Sequence, residues 1–253
     1  MNRSHLTCRV ILFDWDGTLL DSFAADAAAY ASMFSSLGIS WSEQDFARRY
    51  SPNWHRIYRA VGLPRAKWGI ADRLWMRAYA RQNPPLRRGA KLTIRSLHRS
   101  FRLGIVSSGS RWRVQKQLKA FGVWDYFGVC VCGDDLRERK PNPAPLRAAL
   151  RRLDASPGEA IYVGDTAEDV EMARRARVRA IGVLGPYPTA ERLRAASPEA
   201  ILSSVRELPR YLAAFGRNAR RAVQGCGLSG GPGGVEGGGA FGLKSVEWMT
   251  KRR

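Results

Sequence analysis

The 253-residue sequence is poor in cysteine and has no long apolar run. Its four cysteines are too few and too irregularly spaced for a disulfide framework or a zinc site. We therefore expect Cys130 and Cys132, two apart on one strand, to be buried reduced thiols. No stretch approaches the length that spans a bilayer, and the first residues lack the apolar core of a signal peptide. These absences predict a cytoplasmic protein without membrane association.

Negative charge is also scarce. The chain has 42 Lys and Arg against 22 Asp and Glu, a formal net charge of +20, and only seven of the cations are lysine. The arginines are spread from Arg3 to Arg253, which argues against a dedicated nucleic-acid-binding segment. A surface this basic would attract polyanions, including nucleic acid, non-specifically and would steer phosphorylated molecules toward a site.

Two of the few acids lie directly after an apolar run. Val10 to Phe13 are all apolar, as in a strand buried on both faces, and Asp14 and Asp16 follow at once. Gly17 permits a tight turn, so both carboxylates are expected at the carboxyl edge of a sheet, where open α/β sheets bind ligands. Two such acids repel each other unless a cation such as Mg²⁺ lies between them. The alternative is a polar turn without a metal.

Three further elements carry polar groups at predicted strand ends. The strand from Leu103 to Val106 runs into Ser107 and Ser108, whose hydroxyls and backbone amides at a helix start could bind an anion. Lys140 opens a Lys-Pro-Asn-Pro segment after a strand over residues 128–132. The alternative interpretation of Lys140 is a solvated surface charge.

The last of these elements is a Gly-Asp pair with a second acid one helical turn later. Asp165 ends an apolar strand, and Asp169 follows after four residues, so the two side chains can face one point. Asp169 could instead be only a first-turn acid that favours the helix dipole.

The remaining pattern predicts an α/β fold. Short apolar strands alternate with helices from residue 89 onward, which indicates a Rossmann-like, doubly wound parallel sheet. Residues 22–88 contain helical patterns only, over about 23–37, from 42, 53–61 and 64–81, so we expect an inserted helical cap domain over the site. The catalytic core then comprises residues 1–21 and 89–213. Residues 214–253 are Gly-rich and end in basic residues, which predicts a disordered tail.

The four strand-end elements, in this order, resemble the motifs of the haloacid dehalogenase-like hydrolase superfamily over residues 8–185. The helical insertion after the first motif is similar to its phosphoglycolate phosphatase-like branch. The resemblance implies that Asp14 is the nucleophile, that Asp16 is the general acid and base, and that Lys140 neutralises charge. Presence of Asp16 favours phosphoester chemistry over dehalogenation, since halide leaves without a proton.

The same resemblance implies a Mg²⁺ site formed by Asp14, the main-chain carbonyl of Asp16, Asp165 and, directly or through water, Asp169. It implies that Ser107, with Ser108 and nearby amides, contacts the phosphoryl group. Arg56, in the cap, is a candidate for a second anionic group of the substrate.

The function expected from these features is Mg²⁺-dependent hydrolysis of a small phosphorylated metabolite, phosphoglycolate-like, through an aspartyl-phosphate. One alternative is a sugar-phosphate mutase, which uses the same aspartate pair while its cap excludes water. Another is a non-catalytic regulatory protein that binds polyanions through its basic surface.

Overall fold

The computed structural model describes residues 8–214, and its centre is one six-stranded parallel sheet in the order β3-β2-β1-β4-β5-β6. This is the strand order of Rossmann-type doubly wound folds, as predicted. The strands are β1 (Val10–Phe13), β2 (Arg102–Val106), β3 (Phe127–Val131), β4 (Ala160–Gly164), β5 (Arg179–Val183) and β6 (Ala200–Leu202).

Strand β1 shows why these runs are apolar throughout. Ile11 and Phe13 pack into the hydrophobic cluster on one face of the sheet, and Val10 and Leu12 pack into the cluster on the other. All four side chains are fully buried, because successive residues of a strand point to opposite faces and helices cover both.

Five helices alternate with the strands of this core. They are α5 (Ala90–Leu97), α6 (Arg111–Ala120), α7 (Ala144–Arg152), α8 (Ala167–Ala176) and α9 (Ala190–Ala195). Helices α5 and α6 contribute to one cluster and α7 and α8 to the other. The prediction stopped at a fifth strand, so α9 and β6 are additions. Both are short, of six and three residues, and carry too little periodicity to be seen in sequence.

Four further helices lie between β1 and α5. They are α1 (Phe23–Ser36), α2 (Glu43–Arg49), α3 (Trp54–Ala60) and α4 (Trp68–Tyr79). They surround a third hydrophobic cluster that includes Met33, Phe34 and Phe46, all fully buried. The predicted helix over 64–81 begins later than expected, because residues 65–67 form a separate 3₁₀ turn.

The segment between α2 and α3 also contacts the loop and the helix that follow β5. The ring of Tyr187, after β5, stacks on Tyr50 with centroids 4.0 Å apart, and Arg192 donates to the carbonyl of Tyr50. No helix between residues 8 and 214 is long and apolar enough to cross a membrane. The Gly-rich segment predicted to be disordered lies outside the described residues.

Candidate active site

The polar residues predicted at strand ends meet where the order of the sheet reverses. Strands β1 and β4 are neighbours, and Asp14 and Asp165 follow directly at their carboxyl ends. This switch point is the usual ligand site of open α/β sheets. Gly17, with φ of 80°, packs so closely on the Asp165 carboxylate that a side chain there would collide with it. The turn at Gly17 therefore packs the chain that follows Asp14 directly against Asp165.

Lys140 reaches the same point from the loop after β3. Its Nζ lies 2.5 Å from Asp14 Oδ1 and 2.8 Å from Asp169 Oδ1, and its side chain is 3% exposed. Burial alone would lower the pKa of Lys140, but the charges of Asp14 and Asp169 outweigh it and raise that pKa above its usual value. Lys140 is therefore a fixed positive charge between two acids and not a solvated surface residue.

Three buried acids lie together here, Asp14, Asp165 and Asp169. When ionised, they carry three negative charges against the single positive charge of Lys140. Burial, followed by repulsion from Asp169, raises the pKa of Asp14 to about 7, against the opposing effect of Lys140. Burial and the charges of Asp14 and Asp169 raise the pKa of Asp165 well above its usual value. A group of this kind is stabilised by a further cation.

The cluster offers oxygen ligands to such a cation. Asp14, Asp165 and Asp169 each present one carboxylate oxygen, and these oxygens lie within 4.8 Å of one another. Asp165 Oδ1 accepts a hydrogen bond from Thr18, whereas its buried Oδ2 has no hydrogen-bond partner among the described residues. An all-oxygen donor set with one buried, unsatisfied acceptor fits a hard cation such as Mg²⁺.

Asp169 is both a first-turn acid of helix α8 and a member of the acidic cluster, the two roles considered from its position in the sequence. Its Oδ2 accepts from the backbone and hydroxyl of Thr166, the N-cap of α8, in a capping box. Its Oδ1 accepts from Tyr162 and faces Lys140. The carboxylate thus starts the helix and also fixes the lysine.

Asp16 has a partner that the sequence did not suggest. Both its oxygens accept from the guanidinium of Arg113, at 2.8 and 2.6 Å. Arg113 is 7% exposed, and its guanidinium lies 4.8 Å from the ring of Tyr79. Asp16 is therefore held in a bidentate ion pair with a buried arginine, close in sequence to Asp14.

The serines after β2 lie at the same edge of the sheet. Ser107 is buried, and its hydroxyl accepts from the backbone N–H of Gly109. Ser108, with Gly109 and Ser110, lines a cavity of about 380 Å³ that also exposes Asp14 and Asp16. Arg56 does not line this cavity; it lies 3.5 Å from Glu168 and is half exposed.

The cavity extends from the aspartates to the inserted helices. Its wall there contains buried Asp26, which accepts a hydrogen bond from Tyr187. Burial, and then the charge of Asp16, raise the pKa of Asp26 to about 7, while Arg113 opposes this. The rest of that wall is mostly aromatic.

Comparison with known proteins identifies the arrangement. Residues 11–183 match the family model of the haloacid dehalogenase-like hydrolases. The chain belongs to this family. A phosphoglycolate phosphatase of Cupriavidus necator is 31% identical over 217 residues, 82% of this chain and 94% of that protein. A pyrophosphatase of Oceanobacillus iheyensis is 24% identical over 213 residues, 80% and 96% of the two chains.

Solved structures support the same assignment. The CbbY protein of Rhodobacter sphaeroides, determined in complex with phosphate, superposes with a TM-score of 0.70 and 27% identity over 80% of this chain and 96% of its own. A predicted phosphatase from Clostridium acetobutylicum, at 21% identity and a TM-score of 0.75 over 82% and 99%, shows the fold. The chain is therefore a haloacid dehalogenase-like enzyme of the phosphoglycolate phosphatase-like branch, with phosphatases among its relatives.

Sequence reasoning missed Arg113 in this haloacid dehalogenase-like site. Arg113 lies in α6 beside the buried residues Val114 and Leu118, which places it next to the apolar face of the helix. That position was the available signal, but 42 basic residues concealed it.

Proposed function

We propose that this protein hydrolyses a small phosphomonoester with Mg²⁺, through a phosphoryl group carried on Asp14. The observation that carries the proposal is the placement of Asp14, at the end of β1, 2.5 Å from Lys140 and among two further buried carboxylates. A nucleophile held beside a fixed cation and a cation-binding cluster suits attack on a phosphate dianion.

In the first step an oxygen of Asp14 bonds to phosphorus as the bond from phosphorus to the ester oxygen breaks. Asp16 gives its proton to the departing alkoxide. In the second step water attacks the phosphoryl group, Asp16 takes the proton of that water, and Asp14 is released with inorganic phosphate. Asp16 thus returns to its starting form.

The ion pair between Arg113 and Asp16 affects both steps. A bidentate guanidinium stabilises the carboxylate form of Asp16, which is the form that accepts a proton from water. To donate a proton in the first step, Asp16 must free one of its two paired oxygens. We therefore expect substrate to loosen the pair.

Charge on the phosphoryl oxygens is balanced from two directions. Lys140 supplies one fixed positive charge, and Mg²⁺ held by Asp14, Asp165, the main-chain carbonyl of Asp16 and, directly or through water, Asp169 would supply Lewis-acid stabilisation. Ser107 and Ser108, with the amides before α6, would hold the remaining phosphoryl oxygens.

We propose further that residues 22–88 act as a cap domain over this site, on a core formed by residues 1–21 and 89–213. The cavity supports this, because both parts contribute to its wall. A cytoplasmic setting is supported by the free thiols of Cys130 and Cys132, whose sulfurs lie 3.4 Å apart without a disulfide.

The test is phosphate release from a panel of phosphomonoesters, with Mg²⁺, with a chelator, and in Asp14→Asn. We expect turnover to need the metal and to fall by about 10³-fold or more in Asp14→Asn. Asp154→Asn is the matched control, because Asp154 is exposed at the end of α7 and its positive φ of 45° suits asparagine. Full activity in Asp14→Asn would contradict the proposal, and stimulation by a sugar bisphosphate would indicate a mutase.

A further inference from the structure

The cavity wall contributed by residues 22–88 is aromatic and acidic, although the protein as a whole is strongly basic. It consists of five aromatic residues, two acids, and Ser51, Pro52 and Met76. No lysine or arginine from residues 22–88 lines it, although the chain has 42 of them. The aromatic residues are Tyr30, Tyr50, Trp54, Tyr58 and Trp75.

The two arginines that reach the cavity from the rest of the described chain are both engaged. Arg113 is paired with Asp16 through two hydrogen bonds. Arg139 stacks 3.9 Å from the centre of the Trp54 ring and donates to the carbonyl of Gly133. Both cations therefore have partners before any substrate binds.

The acids of this wall would repel such a group. Asp72 is oriented by two donors on a single oxygen, Trp54 Nε1 at 3.0 Å and the Tyr58 hydroxyl at 2.9 Å. Asp26 is buried and contributes no positive charge in either protonation state. A carboxylate or second phosphate placed here would lose its hydration and face like charge.

The size and lining of the cavity favour a different leaving group. About 380 Å³ is within the range of pockets that enclose drug-sized ligands and would hold about a dozen water-sized groups. Aromatic walls bind flat apolar rings by stacking and edge-to-face contact.

We propose that the alcohol part of the substrate carries an aromatic ring and no negative charge, bound between the aromatic residues of the inserted helices. The inference rests on the proposed phosphatase function and names its substrate class. It distinguishes this chain from a phosphatase for short carboxylate or pyrophosphate substrates.

Benzyl phosphate and 2-phosphoglycolate form a matched pair for the test, because each is a phosphate ester of a primary alcohol, one bearing a ring and the other a carboxylate. We expect kcat/KM to be at least about tenfold higher for benzyl phosphate. Equal values, or a preference for 2-phosphoglycolate, would overturn the inference. O-phosphoethanolamine, aliphatic and cationic, should also be a poorer substrate than benzyl phosphate; a better one would indicate charge recognition instead of ring recognition.

Two variants test which cavity residues produce the preference for an aromatic ring. Trp75→Leu should raise KM for benzyl phosphate about tenfold, whereas Trp112→Leu, at an exposed tryptophan outside the cavity, should not change it. Asp72→Asn keeps an oxygen for Trp54 and Tyr58 and removes the charge, so it should raise kcat/KM for 2-phosphoglycolate about fivefold. If Trp75→Leu does not fold, the Asp72→Asn result decides, and an unchanged preference there contradicts the inference.

Calorimetric binding to the Asp14→Asn protein with Mg²⁺ separates this inference from the proposed function. Tighter binding of benzyl phosphate than of 2-phosphoglycolate, without hydrolysis by the unaltered protein, would leave the site assignment standing and reject the phosphatase. Hydrolysis of both esters with no difference in binding would do the reverse. Absence of both binding and hydrolysis would reject both.

Discussion

Arg113 is the side chain that most constrains how Asp16 can act. It joins Asp16 to the aromatic wall, because its guanidinium is paired with the carboxylate and lies 4.8 Å from the Tyr79 ring and 5.9 Å from the Trp75 ring. Leaving one member of a buried ion pair without its partner is far more costly than losing an exposed pair. The geometry of Asp16 therefore depends on a residue 97 positions away in sequence.

We expect Arg113→Gln to lower stability by about 2 kcal/mol and kcat by about 10²-fold, since it leaves the partly buried Asp16 without its ion-pair partner and free to rotate. Arg113→Lys keeps the charge without the two-pronged hydrogen bond and should lose less of both. Urea unfolding and steady-state kinetics measure the two effects. Arg174→Gln, on an exposed face of α8, is the control and should change neither. Unaltered kcat in folded Arg113→Gln would show that Asp16 needs no such support.

Helix α8 links secondary structure to the chemistry through its first turn. Thr166 and Asp169 form a capping box, and the same Asp169 carboxylate holds Lys140. Loss of the cap should therefore affect both stability and the position of the lysine.

We expect Thr166→Ala to lose about 1 kcal/mol of stability and about tenfold in kcat, while Thr166→Ser, which keeps the hydroxyl, retains most of both. Ser42→Ala provides the comparison, because Ser42 forms the same capping box with Asp45 at the exposed start of α2. That variant should lose a similar amount of stability with no change in kcat. Thermal unfolding and kinetics of the three variants check this. An equal loss of kcat in Ser42→Ala would mean that the effect is only one of stability.

The same elements show what sequence alone could predict. The strands β1 to β5 were recognisable because burial on both faces of a sheet favours short runs of apolar residues, and Asp14, Lys140 and Asp165 stand out as polar residues at or beyond the ends of such runs. Strand β6 was missed because three residues carry no pattern. Arg113 was missed because the burial of an arginine depends on a carboxylate that only the folded chain brings to it. The part of Arg56 as an anion site stays a prediction, and its pairing with Glu168 does not support it.

The net charge of the whole protein is positive, whereas acids outnumber basic residues in the wall of the cavity. The chain has a net charge of +20, yet the cavity is lined by five aspartates and two arginines. A phosphate dianion approaching from solvent is attracted by the overall field, whereas within the cavity it meets more acids than arginines. The exterior therefore influences encounter, and the cavity influences which ester is accepted.

This division predicts a specific response to salt. Raising inert salt from about 0.02 to about 0.5 M shortens the Debye length to a few ångströms, so kcat/KM for a phosphomonoester should fall severalfold while kcat changes little. The preference for benzyl phosphate over 2-phosphoglycolate should persist, and rise slightly, because the cavity is shielded from screening ions while the more highly charged 2-phosphoglycolate loses more of its attraction to the exterior. Steady-state kinetics across this range measure both. Salt-sensitive retention on DNA is expected from the same field and is not by itself evidence of a nucleic-acid function. A kcat that falls in parallel with kcat/KM would instead mean that salt acts on the buried cluster itself.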